Sequence, residues 1–256
     1  MTLKTLIIGA SHTAALRLAW RASPGHWPRM DLTFAALQGE MTEFQVTHTT
    51  LTTKVPAKLH RLTGQSHFDL TAFDVIALCG GTPSTFHALQ LYTQARCLSL
   101  PSALAAPLDA PNLLSSQCFE RALTGIIRDA PGHALLTQIR PVTPARLFAI
   151  PHPALSAQVL DQNRNHQGFA IIHRNGDGPA LTQMLDHAAH RACGDLAQYI
   201  PAPPQVRQHR FFTHPDFRRG ATRLGPDDAL PQPPTDYLHG NAAYGHHVLS
   251  ALHDRL

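Results

Sequence analysis

Short apolar runs, separated by longer amphipathic and polar stretches, form the main pattern along this chain. Apolar runs that contain β-branched side chains are typical of strands buried on both faces of a parallel sheet. Four such runs cover residues 6–8, 32–37, 73–79 and 146–150, and a more polar stretch at 205–212 is expected to supply a last strand. Strands that alternate with helical stretches predict an α/β fold.

Between these runs, apolar residues recur at the spacing of an α-helix. Helices are expected from just after Ser11 to about Trp20 and over residues 86–94, 113–127, 181–199 and 243–256, the third capped by Ser115 or Ser116. Residues 45–70 are predicted to form short antiparallel strands or a covering loop, and residues 218–234 a long loop. A chain of 256 residues, 43% of them hydrophobic, can bury a large core, so one domain over residues 1–256 is expected.

Ser11 is predicted to lie where the first strand gives way to the first helix, because Gly9 and Ala10 allow a sharp turn there. Reacting groups of open α/β sheets gather at the carboxyl ends of strands. A serine in this place can act as a nucleophile whose neighbouring N–H groups face a developing oxyanion. The alternative is that Ser11 only caps the helix, since serine is a favoured N-cap residue.

The other end of the chain holds a carboxylate three residues before a histidine, in Asp236-Tyr237-Leu238-His239. In a short turn, Asp236 can orient the imidazole of His239, and His239 can take the proton of the Ser11 hydroxyl. The sequence therefore predicts a Ser11–His239–Asp236 triad assembled from both ends of the chain.

The two blocks, Gly9-Ala10-Ser11-His12 and Asp236-Tyr237-Leu238-His239, resemble those of the SGNH (GDSL-like) hydrolase superfamily. That family carries its nucleophile after the first strand and a D-x-x-H block before the last helix. The continuation through Asn241 to Tyr244-Gly245 is also similar to the family's ending. The pattern and the resemblance together predict a three-layer α/β/α fold with a flavodoxin-like, mostly parallel five-stranded sheet.

The resemblance also implies an oxyanion hole built from Ser11, Gly39 and Thr82. Gly39 follows the second strand, where the family has a glycine whose N–H contributes, although an ordinary turn glycine is an equal alternative. Thr82 stands where the family has an asparagine, in Gly80-Gly81-Thr82. A threonine hydroxyl can donate a hydrogen bond, but its reach is shorter than that of an amide.

Substrate contacts are expected at the same rim, from His12, Gly81, His152 and Asn241, beneath a loop at residues 101–112. Gly80 and Gly81 can alternatively serve only as a loop where the backbone approaches another element. For His152, which follows the fourth predicted strand, a packed or solvent-facing side chain is the alternative.

Composition narrows the function classes further. The net charge is +4, and the basic residues are scattered rather than grouped into a stripe that would suit a nucleic acid. No apolar run approaches the roughly 18 residues of a membrane span, and residues 1–8 are too short for a signal-peptide core. The spacing of the four cysteines, and that of His246 and His253, matches no known pattern of metal ligands. No dinucleotide-binding or P-loop motif occurs. We therefore expect a cytoplasmic protein with no cofactor, metal, membrane or nucleic-acid partner; its oligomeric state is left open.

The function implied by the resemblance is ester hydrolysis through an acyl-enzyme on Ser11, with a small-molecule or carbohydrate ester, such as a short acyl ester on a sugar, as substrate. Two alternatives stay open at this point. The first is an O-acyltransferase that acts on a carbohydrate, and the second is a non-catalytic binding module on the same fold.

Overall fold

The computed structural model describes residues 1–81, 83–105, 112–162 and 166–256. Its central sheet has five strands, all parallel to their neighbours, in the order β10-β9-β6-β1-β2. These strands are β1 (Leu3–Gly9), β2 (Met30–Ala36), β6 (Val75–Cys79), β9 (Arg146–Ile150) and β10 (Gln198–Tyr199). Counted along the chain they stand in the order 5-4-3-1-2, which is the flavodoxin-like order. The predicted fold class is therefore confirmed.

Helices cover both faces of this sheet, and shorter strands lie outside it. The helices are α1 (Thr13–Ala22), α2 (Pro56–Thr63), α3 (Thr85–Gln94), α4 (Pro101–Ala105), α5 (Ser116–Arg128), α6 (Pro131–Ile139), α7 (Val159–Gln162), α8 (Gln167–Arg174), α9 (Gly178–Cys193) and α10 (Ala242–His253). The outer strands are β3 (Phe44–Thr47), β4 (Thr50–Thr53), β5 (Phe68–Asp69), β7 (Arg96–Cys97), β8 (Leu113–Leu114), β11 (Arg207–Gln208) and β12 (Phe212–Thr213).

Alternating side chains of the strands separate the core into two layers. In β1, Leu6 and Ile8 pack with α5 and α9 on one face of the sheet, whereas Ile7 packs with α1 and α10 on the other. All five residues of β6 are buried, as expected for a central parallel strand covered on both faces. This two-sided burial explains why the first four strands are visible in the sequence as continuous apolar runs.

The last strand of the sheet was predicted wrongly. Gln198–Tyr199 forms it, and the expected stretch at 205–212 instead contributes to the antiparallel pair β11–β12. The chain reverses at His209 and Arg210, which both have positive φ angles of 50° and 59°. The preceding helix, predicted to continue to residue 199, ends at Cys193, where Gly194 has a φ of +43°.

The remaining predictions differ in outcome. Residues 44–69 contain the expected antiparallel strands, β3-β4-β5, but α2 lies among them and was not foreseen. Ser115 caps α5 through a hydrogen bond from the N–H of Cys118, at 3.3 Å. The expected loop at 101–112 begins with α4, and its residues 106–111 lie outside the described residues. Among the described helices, none has the length and apolar character needed to cross a membrane.

Candidate active site

Ser11 lies at the carboxyl end of β1, beside β6. This is the point where the strand order of the sheet reverses, and open α/β sheets bind their ligands in the crevice at such a point. The turn between strand and helix is closed by the N–H and hydroxyl of Thr13, which both donate to the Ala10 carbonyl, the hydroxyl at 2.7 Å. The N-cap residue of α1 is His12, without a side-chain cap, so Ser11 is not the helix cap.

The hydroxyl of Ser11 instead contacts the imidazole of His239. Ser11 Oγ and His239 Nε2 are 2.9 Å apart. On the other side of the ring, His239 Nδ1 lies 3.1 Å from each carboxylate oxygen of Asp236. The structure thus brings the three residues predicted for the triad into one continuous chain of hydrogen bonds.

The Asp236 carboxylate is fixed by the turn in which it lies. The backbone N–H groups of Leu238 and His239 donate to its two oxygens at 3.2 and 3.1 Å. Burial raises the pKa of Asp236, but the hydrogen bonds from the His239 ring and from these two N–H groups outweigh burial and hold its pKa below the usual value. An ionised Asp236 favours the proton on His239 Nδ1, which leaves Nε2 free to accept a proton from Ser11.

The two ends of the chain meet because α1 and α10 pack in very close contact. A Cβ atom at Gly245 would overlap the carbonyl of Ala15 and would lie 2.9 Å from the N–H of Leu16. Only glycine lets the two backbones approach so closely. Ser11 lies just before α1 and His239 just before α10, so this contact sets how near the two side chains come.

The predicted oxyanion residues have different outcomes. Gly39 lies three positions beyond β2, with a φ of +152°, and a Cβ there would overlap the Glu43 carboxylate. This backbone conformation by itself accounts for a glycine. Thr82 lies outside the described residues. Its neighbour Gly81 has a φ of +81° and packs on Met41, whose Cγ would lie 2.7 Å from an added Cβ.

Two of the predicted substrate contacts, His12 and His152, face each other instead. His12 is 7% exposed, and its Nε2 lies 2.7 Å from His152 Nε2. Gly80, with a φ of +79°, makes room for the His12 ring, because an added Cβ would lie 3.2 Å from His12 Cδ2.

Asn241 caps α10 and fastens the loop before it. Its Oδ1 accepts from the N–H of Tyr244 at 3.0 Å, while its Nδ2 donates to the carbonyls of Asp216 and Arg219 at 2.7 and 2.9 Å. Because these bonds occupy the amide on both sides, Asn241 has a structural role in this structure rather than an open face for substrate.

Sequence reasoning missed Arg218, which is 5% exposed and lies near His12 and His152. It donates to the Ala154 carbonyl through Nη2, whereas Nε and Nη1 have no hydrogen-bond partner in the described part of the chain. Burial lowers the pKa of Arg218 to about 10, and the nearby Asp236 opposes this. Arg218 therefore remains charged at neutral pH. It was missed because Arg218-Arg219-Gly220 resembles any exposed loop.

No group of three or more histidine, cysteine, aspartate or glutamate side chains that could hold a metal ion occurs within residues 1–81, 83–105, 112–162 and 166–256.

No protein-family model matches the chain, and no curated protein matches it. Among solved structures, it is similar to the crystal structure of phospholipase A1 from Streptomyces albidoflavus NA297, with a TM-score of 0.45 and 12% identity over 100% of both chains. A likeness of this size assigns no activity and no residue role to this chain.

Proposed function

We propose that the chain is a serine hydrolase of the SGNH type, which cleaves an ester through an acyl-enzyme on Ser11. The observation that supports this most is the chain of hydrogen bonds from Ser11 through His239 to Asp236, at 2.9 and 3.1 Å, at the switch point of the sheet. The side chains of His239 and Asp236 are 18% and 13% exposed, so the site is sheltered yet remains open to solvent.

In the proposed reaction, Ser11 Oγ attacks the ester carbonyl while its proton passes to His239 Nε2. The tetrahedral intermediate collapses, the bond to the alcohol breaks, and the alcohol leaves with the proton from His239. Water then attacks the acyl-serine, again giving its proton to His239, and the acid is released as Ser11 regains a proton. Asp236 holds the tautomer of His239 and stabilises the imidazolium formed in each half.

Ser11 and Gly39 are proposed as backbone donors to the oxyanion, with Thr82 as the third donor. The proposal for Thr82 rests on sequence alone. Thr82→Val keeps the shape and removes the donor, so kcat should fall about a hundredfold with KM nearly kept. Thr82→Asn should preserve or raise activity. An unchanged kcat in Thr82→Val would make Thr82 a turn residue only.

The test of the function is hydrolysis of p-nitrophenyl acetate by the wild type beside Ser11→Ala. Ser66→Ala is a matched control, because Ser66 Oγ also lies near a histidine nitrogen, His67 Nδ1 at 3.2 Å, on an exposed surface. Activity should disappear in Ser11→Ala and persist in Ser66→Ala. A fluorophosphonate should label Ser11, as shown by mass spectrometry of the peptide.

The substrate class, a short acyl ester including one on a carbohydrate, is part of the proposal. Transfer to an added sugar acceptor, at a rate above hydrolysis, would identify an acyltransferase. If the wild type neither hydrolyses esters nor reacts with the fluorophosphonate, the hydrolase proposal fails and a binding module becomes the better hypothesis.

A further inference from the structure

Three imidazole rings are packed in a row at the edge of the sheet, with His12 in the middle. The His12 ring is stacked on that of His239, with 4.8 Å between centroids and 24° between planes. On its other side it meets His152 edge-on, with centroids 4.0 Å apart. Ser11 and Asp236 meet the His239 ring at its two nitrogens, whereas His12 lies against its flat face.

Hydrogen bonding assigns the protons on this row of rings. His152 Nδ1 lies 2.9 Å from the carbonyl of Pro153, which can only accept, so Nδ1 carries a proton. In a neutral His152 the Nε2 atom is then an acceptor, and the partner nitrogen of His12, Nε2 at 2.7 Å, must be the donor. His12 is therefore the Nε2–H tautomer, and its Nδ1 is a buried lone pair without a hydrogen-bond partner among the described residues.

The surroundings favour the neutral form of both rings. Burial, together with His152, His239 and Arg218, holds the pKa of His12 well below its usual value. Burial also lowers the pKa of His152 to about 4, against the opposing effect of the bond to Pro153. The pair thus adds no positive charge beside His239 at neutral pH. This matters because His239 itself becomes a cation in the proposed reaction.

We propose that His12, held in place by His152, is a positioning residue that fixes the plane of the His239 imidazole. This inference rests on the proposed function. The bond from His239 Nδ1 to Asp236 restrains one edge of the ring but permits the ring to tilt about that edge. A ring stacked on its face limits this tilt, so Nε2 stays aligned with Ser11 and with the leaving oxygen. The His152 bond prevents His12 from turning away, and Gly80 leaves the space that it occupies.

Four variants separate positioning from simple packing. His12→Ala removes the stacked ring, and kcat should fall about 10- to 100-fold, because small misplacements of reacting groups cost this much, while KM stays within about twofold. His152→Phe leaves the His12 Nε2–H unpaired, and kcat should fall about tenfold. His12→Phe combined with His152→Phe keeps a stacked ring and removes the unpaired N–H of His12. The Pro153 carbonyl loses its donor in both His152 variants, so the double variant should recover most of the kcat lost in His152→Phe.

His133→Phe is the matched control. Like His152, His133 is half-buried, and its ring is hydrogen-bonded to the Ala192 carbonyl at 3.0 Å rather than packed on His12, His152 or His239. It should lose a similar amount of thermal stability with kcat unchanged. Equal losses of kcat in His133→Phe and His12→Ala would make the effect one of general stability and overturn the inference.

A second measurement does not depend on activity. Nitrogen NMR of histidine-labelled protein should show the Nε2–H tautomer for His12 and the Nδ1–H tautomer for His152. In His12→Ala the Nδ1 proton of His239 should exchange faster with water. Unchanged exchange, or the opposite tautomer of His12, contradicts the inference even if no ester is ever hydrolysed. An active wild type with unchanged kcat in His12→Ala also contradicts it, while leaving the proposed function standing.

Discussion

Ser11 lies just after the regular parallel strand β1. Asp236 and His239 instead lie in the stretch from His214 to Asn241, which is described throughout and contains no α-helix and none of the strands β1–β12. The first region is held by the ladders of β1 with β2 and β6. The second depends on individual hydrogen bonds. The Ser156 N–H donates to the Tyr237 carbonyl at 2.8 Å from outside the stretch, and the Asn241 N–H donates to the Phe217 carbonyl at 2.8 Å within it. The position of Ser11 is therefore set by a regular strand ladder, and that of His239 by individual loop contacts.

Removing the imidazole of His239 or the hydroxyl of Ser11 should have the largest effect on kcat. His239→Ala should lower kcat by roughly three to six orders of magnitude, as Ser11→Ala should, because members of a triad act as a unit. His187→Ala, an exposed histidine of α9 that is paired with Glu120, is the control and should keep wild-type kcat. Steady-state kinetics with p-nitrophenyl acetate measures kcat for these variants. A fully active His239→Ala would show that Ser11 works without His239.

Disrupting the contact between α1 and α10 at Gly245 should have the next largest effect. Gly245→Ala forces a Cβ into the Ala15 carbonyl, and we expect a loss of about 3 kcal/mol or more in the free energy of unfolding together with a fall in kcat. Gly125→Ala is its matched control, since Gly125 also lies in a helix but has open space at the added Cβ. It should gain about 0.5–1 kcal/mol. Urea unfolding curves measure the free energy of unfolding of both variants. Equal changes in the two would contradict the close approach of α1 and α10.

As the pH falls, we expect His152, which follows strand β9, to affect stability before Asp236, which lies in the stretch from His214 to Asn241. The pKa of His152 falls from 6.5 to about 4 on folding, so between these values the unfolded chain binds more protons than the folded one. Stability is thus lost as pH falls through this window, by up to about 3 kcal/mol from His152 alone. The pKa of Asp236 is also lowered, but its usual value is 3.8, so its contribution is lost only below that.

Thermal unfolding followed from pH 7 to pH 4 tests this. His152→Asn should show a smaller loss over the window than the wild type, whereas His60→Asn, at an exposed position of α2, should follow the wild-type curve. Parallel curves for wild type and His152→Asn would mean that His152 titrates normally in the folded protein.

The smallest expected effect concerns the anchoring of the loop. Asn241→Ala removes the cap of α10 and two bonds to the loop, and should cost about 1–2 kcal/mol in stability with a fall in kcat, because His239 lies two residues away. Ser115→Ala removes the cap of α5, far along the chain from the site. It should cost about 1 kcal/mol with kcat unchanged. Loss of kcat in both would show that any helix cap matters equally.

The strands that are buried on both faces could be predicted because each carries its own apolar run, as β6 does. The strand β10 could not, because two residues carry no periodicity and are placed by non-local contacts, namely pairing with β9 and the bond from the Tyr199 hydroxyl to Asp186. The helix α2 was missed for a related reason. It buries only Leu59 and Leu62, so its apolar face is too narrow to give a clear helical pattern.

In the candidate site, motif spacing identified Ser11, Asp236 and His239, but not what surrounds them. The pairing of His12 with His152 joins residues 140 positions apart, and nothing local in either segment indicates it. The burial of Arg218 likewise depends on how the loops pack. Asn241 belonged to a recognisable block, yet its side chain caps α10 rather than lying open to a substrate, because the same residue type serves both purposes.

The close packing of α1 and α10 has a consequence for the order in which the candidate site is assembled. Ser11 and His239 are separated by 228 positions, so His239 is synthesised long after Ser11. During synthesis the sheet strands β1, β2, β6 and β9 can pair long before α10 emerges from the ribosome. Until α10 docks on α1 through Gly245, Ser11 lacks its hydrogen bond with His239. Under the proposed function, Ser11 would therefore gain its general base only when α10 docks on α1.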